Sequence, residues 1–268
     1  MKACKLFRVG ERPVLADEDA ALTPLCSGDE RADRQFGKGL HREIAALQEM
    51  LYAEHRRKVL VVLQGVDCAG KDGTVHHLFR KINPMGLRPV RFDVPTAAET
   101  ARDFLWRVHL QVPRQGEIAV FNRSHYEDVL HPVVHGQIDG HEADRRYAQI
   151  RDFERTLAES GTTIVKVFLH ISKDEQRRRL QDRIDDPEKH WKFDPDDLKN
   201  RKKWSGYLAA YERAIAETDA PHAPWYIVPA DSKPHRDIAV AALLAETMRG
   251  MRLAFPAGDP KLAKLRVK

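Results

Sequence analysis

The sequence predicts an α/β fold: a parallel five-stranded sheet with helices on both faces and a helical lid. Apolar, strand-like runs alternate with helix-like segments along most of the chain, the pattern of right-handed crossovers onto a parallel sheet. Thr163–Ile171 is a near-continuous apolar run of the kind buried in such a sheet. Val59-Leu60-Val61-Val62-Leu63 leads into a glycine-rich turn, Gly65 to Gly73, and then a helix-like stretch, so strand, loop and helix follow one another.

The elements follow in order. Residues 1–34 are irregular and charged and read as an arm laid over the domain; residues 35–268 read as a single domain. A helical pattern from about Gln35 to His55 puts Leu40, Ile44, Leu47, Met50 and Leu51 on one face. Val59–Leu63 is the first strand, and Thr74–Ile82 is the helix whose N-terminus closes the loop. Pro89–Val94 reads as a second strand and Ala97–His109 as a helix starting after Pro95-Thr96. Ile118–Phe121 is the third strand, ending at Asn122-Arg123. Thr163–Ile171 is the fourth strand, Trp225–Val228 the fifth, and Ile238–Met251 a closing helix. Residues 173–210, highly charged with alternating sign, are placed as helices outside the sheet and form the lid. Ligands of such sheets sit at the carboxyl ends of strands, where the Gly65 loop and Asn122-Arg123 both fall.

Composition narrows the class. The chain has 268 residues, 42% hydrophobic and 32% charged, which is the make-up of a globular domain rather than a disordered or membrane chain. A net charge of +5 and a pI near 9.1 suit a polyanionic partner without separating nucleic acid, nucleotide and inorganic polyphosphate. The N-terminal residues show no secretory signal, and no apolar run approaches the roughly 20 residues that cross a bilayer. Cys4, Cys26 and Cys68 are scattered and form no CxxC pair, so a cytoplasmic location is expected.

The loop Gly65-Val66-Asp67-Cys68-Ala69-Gly70-Lys71-Asp72-Gly73 fits the frame G-x-x-x-x-G-K. Gly65, Gly70 and Gly73 let the backbone curl so that N–H groups face phosphate oxygens, and Lys71 adds a positive charge at the start of a helix. An acid, Asp72, stands where Ser or Thr is usual. Carboxylates repel bare phosphate unless a cation lies between them, so Asp72 is expected to contact magnesium. Asp67 either shares the metal, orients the acceptor or forms the turn. Cys68 reads as a small buried filler in the loop rather than a reactive thiol.

Two further constellations follow. Phe121-Asn122-Arg123-Ser124-His125-Tyr126-Glu127-Asp128 ends the third strand. Arg123 has a fork suited to two phosphate oxygens. Glu127 and Asp128 either hold metal, position an acceptor or favour the start of the next helix. Arg177-Arg178-Arg179, with Arg183, Lys189, Trp191 and Lys192, form either a cationic helix closing over phosphates or a surface helix paired with Glu175, Asp182, Asp185 and Asp186. His131 and His135 have metal-ligand spacing, but Pro132 and Gly136 argue against a helix there and so against zinc.

Taken together these residues resemble the polyphosphate kinase 2 family, phosphotransferases with a P-loop kinase-like fold. Gly65, Asp67, Gly70, Lys71, Asp72 and Gly73 match its G-x-D-x-x-G-K-D-G loop, and Phe121–Asp128 resembles its second motif. Asp186-Pro187-Glu188-Lys189-His190-Trp191-Lys192-Phe193 is similar to its lid segment, and His222–Asp231 to its last strand. The likeness runs from about Gln35 to Ala254. It implies magnesium-dependent transfer of the terminal phosphoryl of inorganic polyphosphate to a nucleotide, with manganese as a substitute. Asn122 replaces the Asp found in many members, and Glu127-Asp128 follow Tyr126. That variant resembles the branch accepting AMP as well as ADP, and guanine nucleotides remain open. The phosphate-binding set expected is Gly65, Gly70, Lys71, Gly73, Arg123, Arg178, Arg179, Arg183 and Lys189. The catalytic set is Asp67, Lys71, Arg123, Asp128 and Arg178; the metal set is Asp67, Asp72, Glu127 and Asp128. A homodimer or homotetramer is implied, with neither nucleic acid nor membrane as partner. Asp93 stands where a basic residue is expected, and Lys233-Pro234-His235 lacks an aromatic after its lysine, a change expected to affect packing. The rival readings are an ATP-dependent nucleoside monophosphate kinase, whose loop more often ends Lys-Ser or Lys-Thr, and a non-catalytic polyanion binder.

Overall fold

The computed structural model describes residues 3–267. Five strands form one parallel sheet in the order β2-β3-β1-β4-β5: β1 is Lys58–Gln64, β2 Leu87–Arg91, β3 Ile118–Asn122, β4 Thr162–His170 and β5 Trp225–Pro229. The central β1 pairs with β3 on one side (Val61 against Val120) and β4 on the other (Val61 against Val165). Chain order reverses across β1, so a crevice opens at its carboxyl end, beside the loop that follows. Val59 to Leu63 are all buried, as expected for a strand covered on both faces.

The helices sit one or a few residues from their expected places, for local reasons. The first long helix, α2 (Glu30–Glu54, after the short α1, Ala3–Leu6), starts five residues before Gln35. Asp29 caps it, accepting from the Arg31 and Ala32 amides at 2.8 and 3.2 Å, in a charged turn with no apolar periodicity to betray it. Helix α3 (Lys71–Phe79) begins at the phosphate-loop lysine itself. The expected helix Ala97–His109 is two single turns, α4 (Ala97–Thr100) and α5 (Trp106–His109). Thr96 and Glu99 form a capping box for the first, and Asp103 accepts from the Leu105 amide at 3.0 Å, favouring a break between them. Helix α6 (Glu127–Val134) runs through Pro132, so the expectation of no helix around His131 is corrected. Helix α7 (Gly140–Glu159) had not been singled out, although Ala143, Tyr147, Ile150 and Leu157 form its buried stripe. After α8 (Lys173–Asp185), α9 (Pro195–Lys202) and α10 (Trp204–Thr218), α11 (Lys233–Gly250) closes the chain's core, starting at Lys233, capped by Ser232, rather than at Ile238. Residues 173–210 are helical and outside the sheet as expected, while Trp204, Ala210, Tyr211 and Ala214 of α10 join the core.

The N-terminal segment covers the β5 edge: Val9 N donates to Trp225 O at 3.2 Å and Ile227 N to Phe7 O at 3.0 Å. His235, next to the Pro234 departure, is fully buried and meets the Phe7 ring edge-on at 5.9 Å. Among the described residues, no helix is long and apolar enough to cross a membrane.

Candidate active site

The loop after β1 is held in a shape that needs its glycines. A Cβ on Gly65 would stand 2.8 Å from both the Ala69 Cβ and the Leu169 carbonyl oxygen. Gly70, at φ 99, caps α3, and Thr74 N donates to its carbonyl at 2.9 Å. Lys71 curls back, donating to the Gly65 and Val66 carbonyls at 2.6 and 3.2 Å. Burial, with Arg123 nearby, lowers the Lys71 pKa.

The two loop acids each meet the end of β3. Asp67 Oδ1 accepts from Arg123 Nη2 at 3.0 Å, and its Oδ2 from Asn200 Nδ2 at 3.1 Å. Asp72, exposed at the start of α3, accepts from Asn122 Nδ2. Arg123 is in the left-handed region at φ 62, where a non-glycine residue is strained, with its amide donating to Leu63 O at 3.1 Å. Burial opposes its charge, but Glu127 and Asp67 outweigh that and raise its pKa. A buried polar network supports this motif from beneath. Lys166 Nζ donates to Glu154 Oε2 at 2.6 Å and to the Tyr126 hydroxyl at 3.0 Å, and that hydroxyl donates to Glu154 Oε1 at 2.9 Å.

Glu127 and Asp128 face different recesses. Glu127 lines the crevice with Gly65, Asp67 and Arg123, where burial raises its pKa against the pull of Arg123 and Lys71. With its amide turned to satisfy both ends, Gln64 donates to Glu127 Oε1 at 3.0 Å and accepts from Ser124. Asp128 instead accepts from the buried Arg107 Nη2 at 3.0 and 3.2 Å, in a second recess that also contains Arg146. The expected metal set is therefore not brought together: Asp128 points away from Asp67 and Asp72 and already has a cationic partner. Among the described residues, no three His, Cys, Asp or Glu side chains converge as a ligand set. Magnesium usually takes one or two carboxylates together with phosphate oxygens and water, and the hard oxygen donors of Asp67 and Asp72 beside the loop fit that habit.

The cations of α8 and the segment after it follow the surface-helix alternative more than the phosphate-closing one. Arg178 is exposed and paired with Glu175 and Asp182, and Lys189 with Asp186. Arg183 donates to Asp197 Oδ2 at 3.2 Å and to Lys192 O at 2.9 Å. Arg179 is buried behind the loop on backbone carbonyls, which corrects its expected role as a phosphate ligand. Helices α8 and α9 contribute polar side chains to the crevice through Gln176 and Asn200, and α10 adds Trp204, Tyr207 and Tyr211. His131 also lines it, stacked on His135 at 4.1 Å.

The sequence alone did not single out Asn200 or Asp197. Asp197 is buried on α9, and burial, with Asp67 nearby, pushes its carboxyl up to about 6. Both residues sit in a charge-rich stretch where nothing local separates a pocket residue from a solvated one. Asp93, the expected departure, has its carboxylate on Arg91 Nε at 2.8 Å and its carbonyl on Arg107.

The profile of Polyphosphate kinase 2 (PPK2) matches residues 27–256, most of the chain and all of the site above. The chain belongs to the polyphosphate kinase 2 family. The chain is 52% identical over 226 residues to the AMP/ADP-polyphosphate phosphotransferase of Meiothermus ruber, covering 84% of this chain and 85% of that one. It is 41% identical over 274 residues to the ADP-polyphosphate phosphotransferase of Rhodopseudomonas palustris, covering 97% and 94%. The crystal structure of polyphosphate kinase 2 from Arthrobacter aurescens superposes with a TM-score of 0.95 at 43% identity, over 98% of this chain and 95% of that one. The parallel sheet and phosphate loop described above are thus those of a polyphosphate kinase 2 fold.

Proposed function

We propose that this protein is a polyphosphate-dependent nucleotide kinase that transfers the terminal phosphoryl group of polyphosphate to AMP and ADP. The observation that carries the reading is the joining of the phosphate loop to the end of β3, through Asp67 with Arg123 and Asp72 with Asn122. A glycine loop alone binds phosphate. Acids built into it and held by neighbouring donors suit a phosphate chain that brings its own cation.

In this reading the backbone of Gly65 to Gly73 and Lys71 hold the phosphates to be split. Arg123 lies against the transferring group, oriented by Asp67, and Glu127 faces the same crevice as the acceptor phosphate. Phosphoryl transfer asks little covalent help of a protein, so positioning and charge neutralisation supply the acceleration. Magnesium, or manganese in its place, would be held by Asp67 and Asp72 and would neutralise phosphate charge when bound. The exposed Arg178 and Lys189 and the half-buried Arg183 supply further positive charge on α8 and the segment after it. Association as a homodimer or homotetramer belongs to the same proposal and is read by light scattering of the purified chain.

The deciding experiment supplies polyphosphate and magnesium with AMP, ADP, GMP or GDP in turn and follows the phosphorylated product. ADP from AMP and ATP from ADP are expected. Product from AMP with ATP as donor, and none with polyphosphate, would identify a nucleoside monophosphate kinase instead. No transfer from either donor would leave a binding protein.

A further inference from the structure

A loop whose N–H groups converge on an anion must turn its carbonyls the other way, and buried carbonyls need donors. Here α8 supplies them. Arg179 is 6% exposed and uses its full inventory of five N–H groups. Its Nε donates to Glu175 Oε1 at 2.6 Å, and Nη1 to the Cys68 and Ala69 carbonyls at 3.0 and 3.1 Å. Its Nη2 donates to the Ala230 and Asp231 carbonyls, between β5 and α11, at 2.6 and 2.9 Å. One turn earlier, Gln176 Nε2 serves the Asp67 carbonyl at 3.1 Å. Three consecutive loop carbonyls, 67 to 69, are thus capped from one helix.

The middle one belongs to a strained residue. Cys68 stands at φ 66, a conformation that persists in a non-glycine residue only where its surroundings over-determine it. The guanidinium on its carbonyl is such a determinant, and so is the neighbouring bond to Ala69. We propose that Arg179, seconded by Gln176, is a positioning residue that shapes the phosphate loop from behind. The first two turns of α8 then belong to the fixed wall of the site rather than to a closing lid. The proposal rests on the reading that this loop holds phosphate.

A lysine at 179 keeps the charge but loses the planar fork, so it separates shape from electrostatics. In Arg179→Lys, amide hydrogen exchange of residues 68–73 in the free protein is expected to quicken about 10-fold or more, with the rest of the sheet unchanged. Turnover with polyphosphate and ADP is expected to fall ~10²-fold with the polyphosphate KM within about 3-fold, the signature of misplacement rather than lost contact. Arg177→Ala, on the exposed face beside Asp174, changes neither. Unchanged loop exchange in the lysine variant overturns the proposal. So does a loss confined to the polyphosphate KM, which marks a direct anion contact. If the lysine variant does not fold, Gln176→Ala decides by exchange alone: faster exchange confined to the loop supports the proposal, and none refutes it. The exchange needs no substrate, so an inactive parent protein would sink the function proposed above and leave this result readable.

Discussion

Replacing Asp67 with asparagine removes one charge from the mouth of the phosphate loop and leaves the side chain's shape almost intact. Its two oxygens accept from Arg123 at 3.0 Å and from Asn200 at 3.1 Å. An amide keeps one acceptor, so whichever way it turns, its NH2 opposes one of those donors. Loss of a charge-assisted bond costs about 1.5–3 kcal/mol where the pair is buried. The Arg123 side chain is 42% exposed, so water screens it and a stability loss of about 1 kcal/mol is the working figure. Against a typical total of about 5–15 kcal/mol the variant stays folded. Turnover should suffer more, because a fixed cation loses its orientation at the reacting group, an effect of order ~10² in kcat. The assay couples ATP formation from ADP and polyphosphate to luciferase, with a thermal melt of the same sample. A kcat within about 3-fold of the parent would refute the role given to Asp67. A melting point lowered by more than ~10 °C would refute the energetics instead.

Three other outcomes follow from the same geometry. Gly65→Ala has to move Ala69 or the Leu169 carbonyl, each 2.8 Å from the new methyl, so a loss of about 1–3 kcal/mol in urea unfolding and a kcat drop of at least ~10-fold are expected. Asp197 has a folded-state pKa raised to about 6 from 3.8, so the folded state binds more protons between those values and stability falls as pH rises from about 4 to about 6. Asp197→Asn should flatten that part of the stability–pH curve, and an unchanged slope would contradict the cause assigned. Lys166→Met strands Glu154 in the core without its cation, a loss of about 3–5 kcal/mol by urea unfolding, whereas Lys166→Met with Glu154→Leu should recover most of it.

The sheet was legible because its strands are apolar runs with breaks between them, and five of five were placed within a few residues. Helix starts were less so, because Asp29 and Ser232 act through side-chain caps that apolar periodicity does not register. In the site, the loop and Arg123 were legible because their chemistry is consecutive in sequence. The partners of those residues were not. Asn200 meets Asp67 across 133 positions and Arg179 meets Ala69 across 110, and no local pattern announces such a meeting. An arginine aimed at carbonyls and one aimed at phosphate read alike in sequence; only the direction of the fork tells them apart. Glu127 and Asp128 show the same limit in reverse, since adjacent helical residues point about 100° apart and enter different recesses.

Asn122 shows how the free site tolerates its acids. An aspartate there would set two carboxylates side by side, because Asn122 Nδ2 touches Asp72 Oδ1, and the like charges would repel unless they turned apart, shared a proton or held a cation. Asparagine donates instead, so the Asp72 carboxylate meets a hydrogen-bond donor there. Asp67 is likewise satisfied by Arg123 and Asn200. Both acids are thus oriented by donors from neighbouring elements, and on the proposed function magnesium arrives with the phosphate chain that it neutralises. Two carboxylates held apart by donors of their own cannot close a cage, but they can face a metal whose remaining ligands are phosphate oxygens. On that proposal the loop would discriminate by what accompanies its substrate: a bare polyanion would meet two negative charges, and a metal-loaded one two ligands.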